Sequence, residues 1–495
     1  MQKKFISNLA LVLLLNLLIK PFYILGIDAE ILKQVELNQP GSYGMYFSIL
    51  GLTFIGNIFL DLGIINFNTR NIAQHQQLLS KHFSGIFTIR LLLALVYLAI
   101  LFIVGFCIGY TDFQLKLLAI LGLNQVLVAF TQYFRSNLAG LLRFKEDSIL
   151  SVLDRLLLIV ICGTLLWGSF TNTGFKIEWF IYAQTVAYGL SALTGFLLVL
   201  RQTKKFTFKW EFAFSIMILK KSFPFALLIF LMAIYYYSDA VMLERIHPNG
   251  ALEAASYARG YRFFMAANMI GFIFAGLLLP IFSKLIQQKE SISSILSLSF
   301  KLLFGISLII GLIGFSFKNE IIQWRYQIFQ TELMHSANAF GFLMLSFVAI
   351  SITYIFGTLL TAKGALKQLN IMAMFGVGIN VGLNFILIPN SGAEGAALAS
   401  LITQIITAVC QILIAKRIFD FSINRKNINS VGLFTISSVV CIYTVQLAQF
   451  NWIVSAILNF TIMILIAFLT GLFSMNYFKE IIREKNKSMN ATINK

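Results

Sequence analysis

The chain has 495 residues, of which 58% are hydrophobic and only 12% are charged, and its formal net charge is +18. A soluble protein of this length needs far more charge to keep its surface wetted, so the composition predicts a membrane protein with many spans. Nucleic-acid binding is disfavoured, because no soluble domain is present to hold a basic face and cytoplasmic loops are basic whatever the function. The four cysteines lie inside apolar runs, which argues against a disulfide framework or a metal cluster.

Apolar runs of about 20 residues predict membrane-spanning helices rather than barrel strands. The N-terminal stretch MQKKFISNLALVLLLNLLIKPF resembles a signal peptide, but no small-residue cleavage site follows it, so we interpret it as the first span. The sequence predicts fourteen spans, at 5–25, 42–66, 84–109, 115–141, 149–168, 178–200, 220–246, 256–283, 293–317, 336–361, 368–388, 394–415, 430–449 and 452–475.

The basic residues of the loops predict the orientation. Most of them fall on the side of the N-terminus, which is therefore expected to be cytoplasmic together with the C-terminus. The largest loops on the other side, near 26–41 and 318–335, are too short to fold as catalytic domains.

Two stretches of the chain resemble each other, Ser42–Phe59 and Ser256–Phe274. Both begin with Ser-Tyr and both contain an Ile-Gly-x-Ile-Phe element. Parallel repeats about an axis along the membrane normal are typical of transporters, with the substrate path between the halves. The predicted organisation is an N-terminal lobe of spans 1–6, a cytoplasmic linker, a C-terminal lobe of spans 7–12, two peripheral helices and a cytoplasmic tail. Their limits are 1–200, 201–221, 222–417, 430–475 and 476–495.

Ionisable residues inside the predicted spans are the main functional signal, because each is costly in lipid and is expected to face a wet cavity or an opposite charge. The basic ones are Lys20, Arg90, Arg135, Arg155, Arg259, Arg262 and Lys301, and the acidic ones are Asp61, Asp154 and Asp239. The excess of cations predicts a cationic lumen suited to an anionic cargo. The lumen residues expected to bind it are Lys20, Arg90, Arg135, Arg259 and Arg262. Arg155 and Lys301 lie nearest the cytoplasmic ends of their spans, so we interpret them as snorkelling to headgroups.

Asp239 lies in the stretch YYYSDAVMLERI of the seventh span. Tyr235 and Tyr236 precede it by four and three residues, which places them on its helix face as polar groups of the lumen. Arg259 or Arg262 is the expected partner of this carboxylate. For Asp239 and Asp61, a structural salt bridge and a role in coupling H+ or Na+ both stay open. No catalytic residue, cofactor or metal ligand is predicted.

Small residues predict close helix packing in two places. The stretch IPNSGAEGAALASLITQ, Ile388–Gln404, begins with a turn and continues with glycine and alanine at close-packing spacing. In the eleventh span Gly378 and Gly382 are four apart, as are Asn380 and Asn384, and these residues suggest a second such contact.

Three stretches together resemble a known family. They are QPGSYGMYFSILGLTFIGNIFLDLGIINFNTRNIA (Gln39–Ala73), YYYSDAVMLERI and LIPNSGAEGAALAS. In order and spacing the chain resembles the polysaccharide transport, or oligosaccharide flippase, branch of the multidrug/oligosaccharidyl-lipid/polysaccharide (MOP) exporter superfamily. It departs from the family pattern at Glu244 and Arg245, where members often have glycine after the Met-Leu of the seventh span.

The resemblance implies two six-helix lobes around a central cavity in the bacterial inner membrane. It implies that the protein flips polyprenyl-diphosphate-linked (undecaprenyl-type) oligosaccharide repeat units from the cytoplasmic to the periplasmic leaflet, by alternating access driven by an ion gradient or the membrane potential. The product would serve O-antigen (lipopolysaccharide), capsule or exopolysaccharide synthesis, with a polysaccharide polymerase and a chain-length regulator as partners. The protein is thus expected to be a transporter and not an enzyme.

Three alternatives stay open. A drug or metabolite antiporter of the same superfamily would prefer an acidic cavity for cationic drugs. A flippase for lipid-linked peptidoglycan precursors would also have a cationic lumen. A membrane polymerase or ligase generally needs a sizeable external loop bearing Arg or His, which this chain lacks.

Overall fold

The computed structural model describes residues 15–16, 18–65, 68, 72, 78–141, 143–168, 174–203, 212–419 and 425–473. Within these ranges the chain forms helices joined by short turns, and no strand occurs among them. The predicted all-α membrane fold is confirmed.

A π-helical segment, Tyr23–Asp28, leads into the first α-helix. The α-helices are α1 Ala29–Asn38, α2 Ser42–Gly56, α3 Ile58–Asp61, α4 Leu78–Cys107, α5 Asp112–Gly140, α6 Phe144–Trp167, α7 Ile177–Leu200, α8 Phe212–Ile246, α9 Gly250–Gln288, α10 Ser293–Ser316, α11 Lys318–Tyr326, α12 Gln330–Lys363, α13 Leu366–Phe419, α14 Arg425–Leu447 and α15 Trp452–Leu469.

In the described part of the chain, 12 helical stretches are long and apolar enough to cross a membrane. One of them, α13, has 54 residues and is broken at Gly392, whose φ of 47° and ψ of −127° lie outside the helical region. Such a positive φ favours glycine, which has no Cβ. The predicted spans 368–388 and 394–415 lie on the two sides of this break, so the predicted turn is confirmed. The predicted first span, 5–25, falls largely outside the described residues.

The predicted external loop at 26–41 is wrong over most of its length. The π-helical segment and α1 continue the helix to Asn38. Two of its acidic residues, Asp28 and Glu36, are buried with partners. The Glu36 carboxylate accepts hydrogen bonds from the backbone N–H groups of Gly41 at 2.7 Å and Tyr43 at 2.8 Å, and it thereby caps the N-terminus of α2.

Helix α2 packs directly against α8 and α9. A Cβ atom on Gly44 would lie 1.8 Å from the carbonyl oxygen of Ala251, so only glycine allows this approach. Further along α2, the ring of Phe54 stacks on Tyr237 with centroids 4.7 Å apart. The Ser42–Phe59 stretch is thus in contact with α8, which carries Asp239, and with α9.

The two predicted small-residue contacts have different outcomes. After the break in α13, Ala396, Ala397 and Ala399 are fully buried, which confirms tight packing there. Gly378 and Gly382 face open space, so the close contact predicted for them is wrong. Spacing alone cannot tell which side of a helix its neighbours occupy.

The chain divides into two compact units. Unit 1 is Met1–Ala266, Ile328–Ala339 and Leu366–Ser400, and unit 2 is Ala267–Gln327, Phe340–Ala365 and Leu401–Lys495. In unit 2, α14 and α15 pack on α10 around Ile309, Phe434 and Met463. The lobes 1–200 and 222–417 stay a prediction. Of the predicted linker, residues 204–211 lie outside the described residues, as does the whole tail 476–495.

Candidate functional site

Arg90 on α4 and Asp61 at the end of α3 form a buried ion pair. Arg90 Nη1 lies 2.7 Å from Asp61 Oδ1, and Nη2 donates a hydrogen bond to the carbonyl oxygen of Ala129 at 3.0 Å. The guanidinium carbon lies 5.3 Å from the centre of the Tyr133 ring. With 1% of its side chain exposed, Arg90 is compensated by protein groups and ties α3, α4 and α5 together.

Arg262 on α9 reaches the π-helical segment. Its Nε lies 2.8 Å from Asp28 Oδ2, and its guanidinium donates a hydrogen bond to the Tyr43 hydroxyl. Tyr43 in turn donates to Asp28 Oδ1 at 2.5 Å. Arg262 is 3% exposed, so this cation too is enclosed by its partners.

Arg259, three residues before Arg262, has partners on another helix. Its Nη2 lies 2.8 Å from Glu332 Oε2, and Nη1 donates to Ser336 Oγ at 3.1 Å, both on α12. The Arg259 side chain is 3% exposed, whereas that of Glu332 is 43% exposed. The ion pair therefore joins α9 to the beginning of α12.

A further set of basic side chains in unit 1 is formed by Lys20, Arg135 and Arg155. Arg135 Nε on α5 is 2.8 Å from Asp147 Oδ1 on α6. Lys20 interacts electrostatically with Arg135, Arg155 and Asp154. The interpretation of Arg155 as a snorkelling residue near a helix end is wrong, because α6 begins at Phe144 and Arg155 lies at its middle.

Asp239 on α8 is 1% exposed and sits among neutral donors. Its Oδ2 accepts hydrogen bonds from the hydroxyls of Tyr257 at 2.8 Å and Ser400 at 2.5 Å, and Oδ1 accepts one from Asn384 Nδ2 at 2.7 Å. These donors come from α9 and from both segments of α13. The carboxylate is therefore the centre of a polar cluster that joins three helices.

The predicted pairing of Asp239 with Arg259 or Arg262 is wrong. Those guanidinium groups are held by Glu332 and Asp28, which sequence reasoning had placed in loops.

The three consecutive tyrosines of α8 have different surroundings. Tyr235 and Tyr236 are half-buried, and their ring centroids are 5.4 Å apart. Tyr237 stacks on Phe54 of α2. The hydrogen bonds to Asp239 described above come from other helices, so a role for Tyr235 and Tyr236 in the lumen stays a prediction.

The charged pair Glu244–Arg245, where the sequence departs from the family pattern, ties the end of α8 to the α4–α5 turn. Glu244 Oε1 accepts a hydrogen bond from Gln114 Nε2 at 2.8 Å, and Arg245 Nη1 donates to the carbonyl oxygen of Ile108 at 3.2 Å. The ring centre of Tyr110, in the same turn, lies 4.6 Å from the guanidinium carbon of Arg245. Burial, and after it the Glu244 carboxylate, raises the pKa of Tyr110.

The sequence predicted that the basic intramembrane residues, being in excess, could not all pair with the three acidic ones. Each of the five predicted intramembrane arginines has a carboxylate within ion-pair distance. The partners that sequence reasoning missed are Asp28, Asp147 and Glu332. The hydrophobic positions Ile24, Ile27 and Ile31 continue past Asp28 at helical spacing, and this signal could have placed Asp28 in a helix instead of a loop.

Asn384, Tyr257 and Ser400, the partners of Asp239, were also missed. Asn380 and Asn384 stand four apart in an apolar helix, and that signal could have predicted a polar face directed at a buried group. The side-chain oxygen Oδ1 of Asn380 accepts a hydrogen bond from the Ser238 hydroxyl at 3.1 Å.

Comparison with known proteins gives the family. The model of the polysaccharide biosynthesis protein family matches residues 38–286, which is half of the chain and includes α2–α8, most of α9 and the Asp61, Arg90, Asp239 and Arg262 positions. The chain belongs to this family. No curated protein sequence matches the chain.

Solved structures of the MOP superfamily share the fold. The lipid II flippase MurJ in an inward closed conformation is similar with a TM-score of 0.68 and 16% identity, covering 93% of this chain and 97% of MurJ. An inward-facing multidrug resistance MATE transporter has a TM-score of 0.63 and 13% identity, and the match covers 84% of this chain and 98% of the transporter. A Vibrio cholerae MATE transporter has a TM-score of 0.54 and 15% identity, and the match covers 84% of this chain and 97% of the transporter. At these identities the likeness establishes the fold, and with the family it confirms a multi-pass membrane protein of the MOP superfamily.

Proposed function

We propose that this polysaccharide biosynthesis family member is a flippase for polyprenyl-diphosphate-linked oligosaccharide repeat units, which it moves from the cytoplasmic to the periplasmic leaflet of the inner membrane. The observation that carries the proposal is the family match over the helices that hold the intramembrane charges. Its fold, shared with a lipid II flippase and with MATE exporters, supports transport rather than catalysis.

The chemistry of the cargo fits the electrostatics of unit 1. A diphosphate is a strong hydrogen-bond acceptor with negative charge, and lysine and arginine are its usual partners. Lys20, Arg135 and Arg155 are basic, partly exposed and inside helices of a membrane protein. A water-filled space beside them would attract an anionic headgroup more strongly than bulk water does.

We also propose that Asp239 couples transport to H+ or Na+. Among the described residues, no basic side chain lies within ion-pair distance of this buried carboxylate, and its partners are neutral hydroxyl and amide groups. A buried carboxylate is costly as an anion, so binding a proton or a cation is favourable. Asp61 is a weaker candidate for coupling, because Arg90 already neutralises it.

Both termini are proposed to lie in the cytoplasm, as the distribution of basic loop residues predicts. A polysaccharide polymerase and a chain-length regulator are the proposed partners, because a flipped repeat unit must be polymerised on the far side of the membrane.

One alternative is favoured by a specific observation. The likeness to the lipid II flippase MurJ extends over 93% of the chain, so a lipid-linked peptidoglycan precursor is the second candidate cargo. Both cargoes carry a polyprenyl diphosphate, and the saccharide distinguishes them.

The test is leaflet translocation in proteoliposomes that contain the purified full-length protein. Fluorescent polyprenyl-diphosphate oligosaccharide and fluorescent lipid II would be compared in a quenching assay that reports exposure on the outer leaflet. The proposal expects translocation of the oligosaccharide lipid at a rate well above that of lipid II. Translocation of lipid II alone would favour the alternative, and export of a cationic drug with neither lipid moved would favour an antiporter.

A further inference from the structure

The Glu253 carboxylate on α9 lies at the break in α13. Its Oε2 accepts a hydrogen bond at 2.7 Å from the backbone N–H of Ala393, the residue that follows Gly392. The first N–H groups of a helical segment have no partner within that segment, and negative charge beside them is stabilising. Gly392 has no Cβ, which leaves room for the carboxylate. Glu253 therefore caps the second segment of α13 from a different helix.

The other oxygen of the Glu253 carboxylate contacts a histidine. His335 Nδ1 on α12 lies 3.1 Å from Glu253 Oε1, and this pair is here called the histidine link. The side chain of His335 is 46% exposed, whereas that of Glu253 is 11% exposed. Histidine is the side chain whose charge ordinarily changes between about pH 5 and 8. Solvent protons can therefore reach the imidazole, and only its protonated form makes an ion pair with the carboxylate.

Two further links join the beginning of α12 to the same helices. The Arg259–Glu332 ion pair joins α12 to α9, and Asn338 Nδ2 donates a hydrogen bond to Glu394 Oε2 on α13 at 2.9 Å. The charged groups near the histidine link are thus Arg259 on α9, Glu332 on α12 and Glu394 on α13. Arginine and ionised carboxylates keep their charge between about pH 5.5 and 8 in the ordinary case. Of these three links, the histidine link is the one whose charge changes in that range.

The histidine link lies next to the polar cluster around Asp239. Tyr257, which donates to Asp239 Oδ2, follows Glu253 by four residues and so lies one turn further along α9. The donors Asn384 and Ser400 lie before and after the break in α13. By capping the segment that follows the break, Glu253 fixes that segment to the helix of Tyr257. The cap therefore holds two of the three donors of Asp239 in a set relation.

We infer that Glu253 is a positioning residue for the Asp239 cluster and that protonation of His335 regulates it. Protonated His335 pairs with the carboxylate and holds the cap in place. When the imidazole is neutral this attraction is lost, and the segment that carries Ser400 moves more readily. The inference rests on the proposed function, in which Asp239 couples transport to an ion. In the predicted orientation the histidine link lies on the external side, so it responds to the pH outside the cytoplasm.

The experiment measures hydrogen–deuterium exchange of the full-length protein in lipid nanodiscs at about pH 5.5 and about pH 8. The quantity compared is the protection factor of the peptide that contains Ala393, which corrects for the effect of pH on exchange of an unfolded chain and reports local opening. The variants are His335→Asn and Glu253→Gln. The matched control is His247→Asn, because His247 lies on the same predicted side and its Nδ1 accepts a hydrogen bond from the Asn249 N–H within its own turn.

In the wild type, protection at the break should be about two- to fivefold greater at the lower pH, since a partly exposed ion pair contributes about that much. His335→Asn should show at both pH values the lower protection that the wild type has at about pH 8. Glu253→Gln keeps an acceptor for the Ala393 N–H but has no charge, so it should also lose the pH dependence. His247→Asn should behave as the wild type does.

Translocation at equal pH on both sides of a proteoliposome separates positioning from a merely structural role. Glu253→Ala leaves the Ala393 N–H without its cap and should lower the rate about tenfold, whereas Glu253→Gln should restore it to within about threefold of the wild type. The pH profile of the rate should change in His335→Asn and stay as in the wild type in His247→Asn. A merely structural histidine would change the Tm and leave the shape of that profile unaltered.

Equal protection of the wild type at the two pH values would overturn the inference, as would an unchanged pH dependence in His335→Asn. If the wild type translocates the oligosaccharide lipid in that case, the histidine link is refuted and the flippase stands. If protection follows the expected pattern but no lipid-linked saccharide moves, the histidine link is supported and the proposed function fails.

Discussion

At the scale of single residues, the Arg90–Asp61 pair has the same sequence signature as a ligand-binding arginine but different surroundings. Arg90 is 1% exposed and has a carboxylate, a carbonyl oxygen and an aromatic face around it. Removing one partner of such a pair leaves the other charge buried and uncompensated. The pair therefore holds α3, α4 and α5 together, and a role of Arg90 in binding cargo stays a prediction.

Asp61→Asn is accordingly expected to destabilise the protein, by on the order of 3 kcal/mol. The control is Asp147→Asn, whose partner Arg135 is 31% exposed and so should lose no more than about 1 kcal/mol. Thermal or denaturant unfolding in detergent measures both variants. If both variants lost the same small amount of stability, the difference in burial between the two ion pairs would not determine their contribution to stability.

A second residue-scale prediction concerns Asp239. Asp239→Asn keeps the size of the side chain and removes the charge that binds a proton or a cation, so transport should fall about tenfold and lose its dependence on the coupling ion. Ser400→Ala removes one of the three donors and keeps the carboxylate, so it should retain that dependence. Translocation is measured while pH and Na+ are varied separately. Full activity of Asp239→Asn with an unaltered ion dependence would refute the coupling role.

The identity of the intramembrane charged residues could be predicted from the sequence, but their partners could not. Asp239 stands out in an apolar run, yet its donors lie on α9 and α13, at sequence distances that no local pattern connects. Asp28 was missed because a cluster of polar residues after it resembled a loop. The pairing of Asp28 with Arg262 depends on a contact between helices that are distant in the sequence, and no local signal encodes it.

At the scale of helices, the closest approach described is that of α2 to α9 at Gly44. Gly44→Ala should push the helices apart, because the added Cβ would lie 1.8 Å from a backbone oxygen that cannot move away cheaply. Gly189→Ala on α7 is the matched control, since nothing lies within 4 Å of the added atom there. That substitution should be neutral or stabilising by up to about 1 kcal/mol. The Tm of each variant is the measurement, and a Gly44→Ala variant as stable as Gly189→Ala would contradict the packing.

The limits of most helices could be predicted from hydropathy, because a span must keep about 20 apolar residues in the membrane. The break at Gly392 was also predictable, since proline, asparagine and glycine follow one another there. The continuation of the helix through Tyr23–Asp28 and α1 could not be predicted from hydropathy. Its buried acidic residue Asp28 is stabilised by Arg262, which lies on a distant helix.

At the scale of the whole molecule, the fold followed from composition and from the order of three stretches, and the family match and the likeness to MOP transporters confirm it. The cargo is a finer question. The sequence predicted a lumen with more basic than acidic groups, whereas the structure pairs each of the five arginines with a carboxylate. Among the arginines, Arg135 and Arg155 are the ones whose side chains are about one third exposed, at 31% and 28%.

The most direct test of the account is the rate at which purified protein moves a fluorescent polyprenyl-diphosphate oligosaccharide between leaflets of a proteoliposome. The account predicts translocation by the wild type and by the control Arg143→Gln, since Arg143 pairs with Glu146 at the start of α6, and a loss of about tenfold in Lys20→Gln. Absence of translocation by a correctly folded wild type, or translocation of lipid II but not of the oligosaccharide lipid, would contradict it.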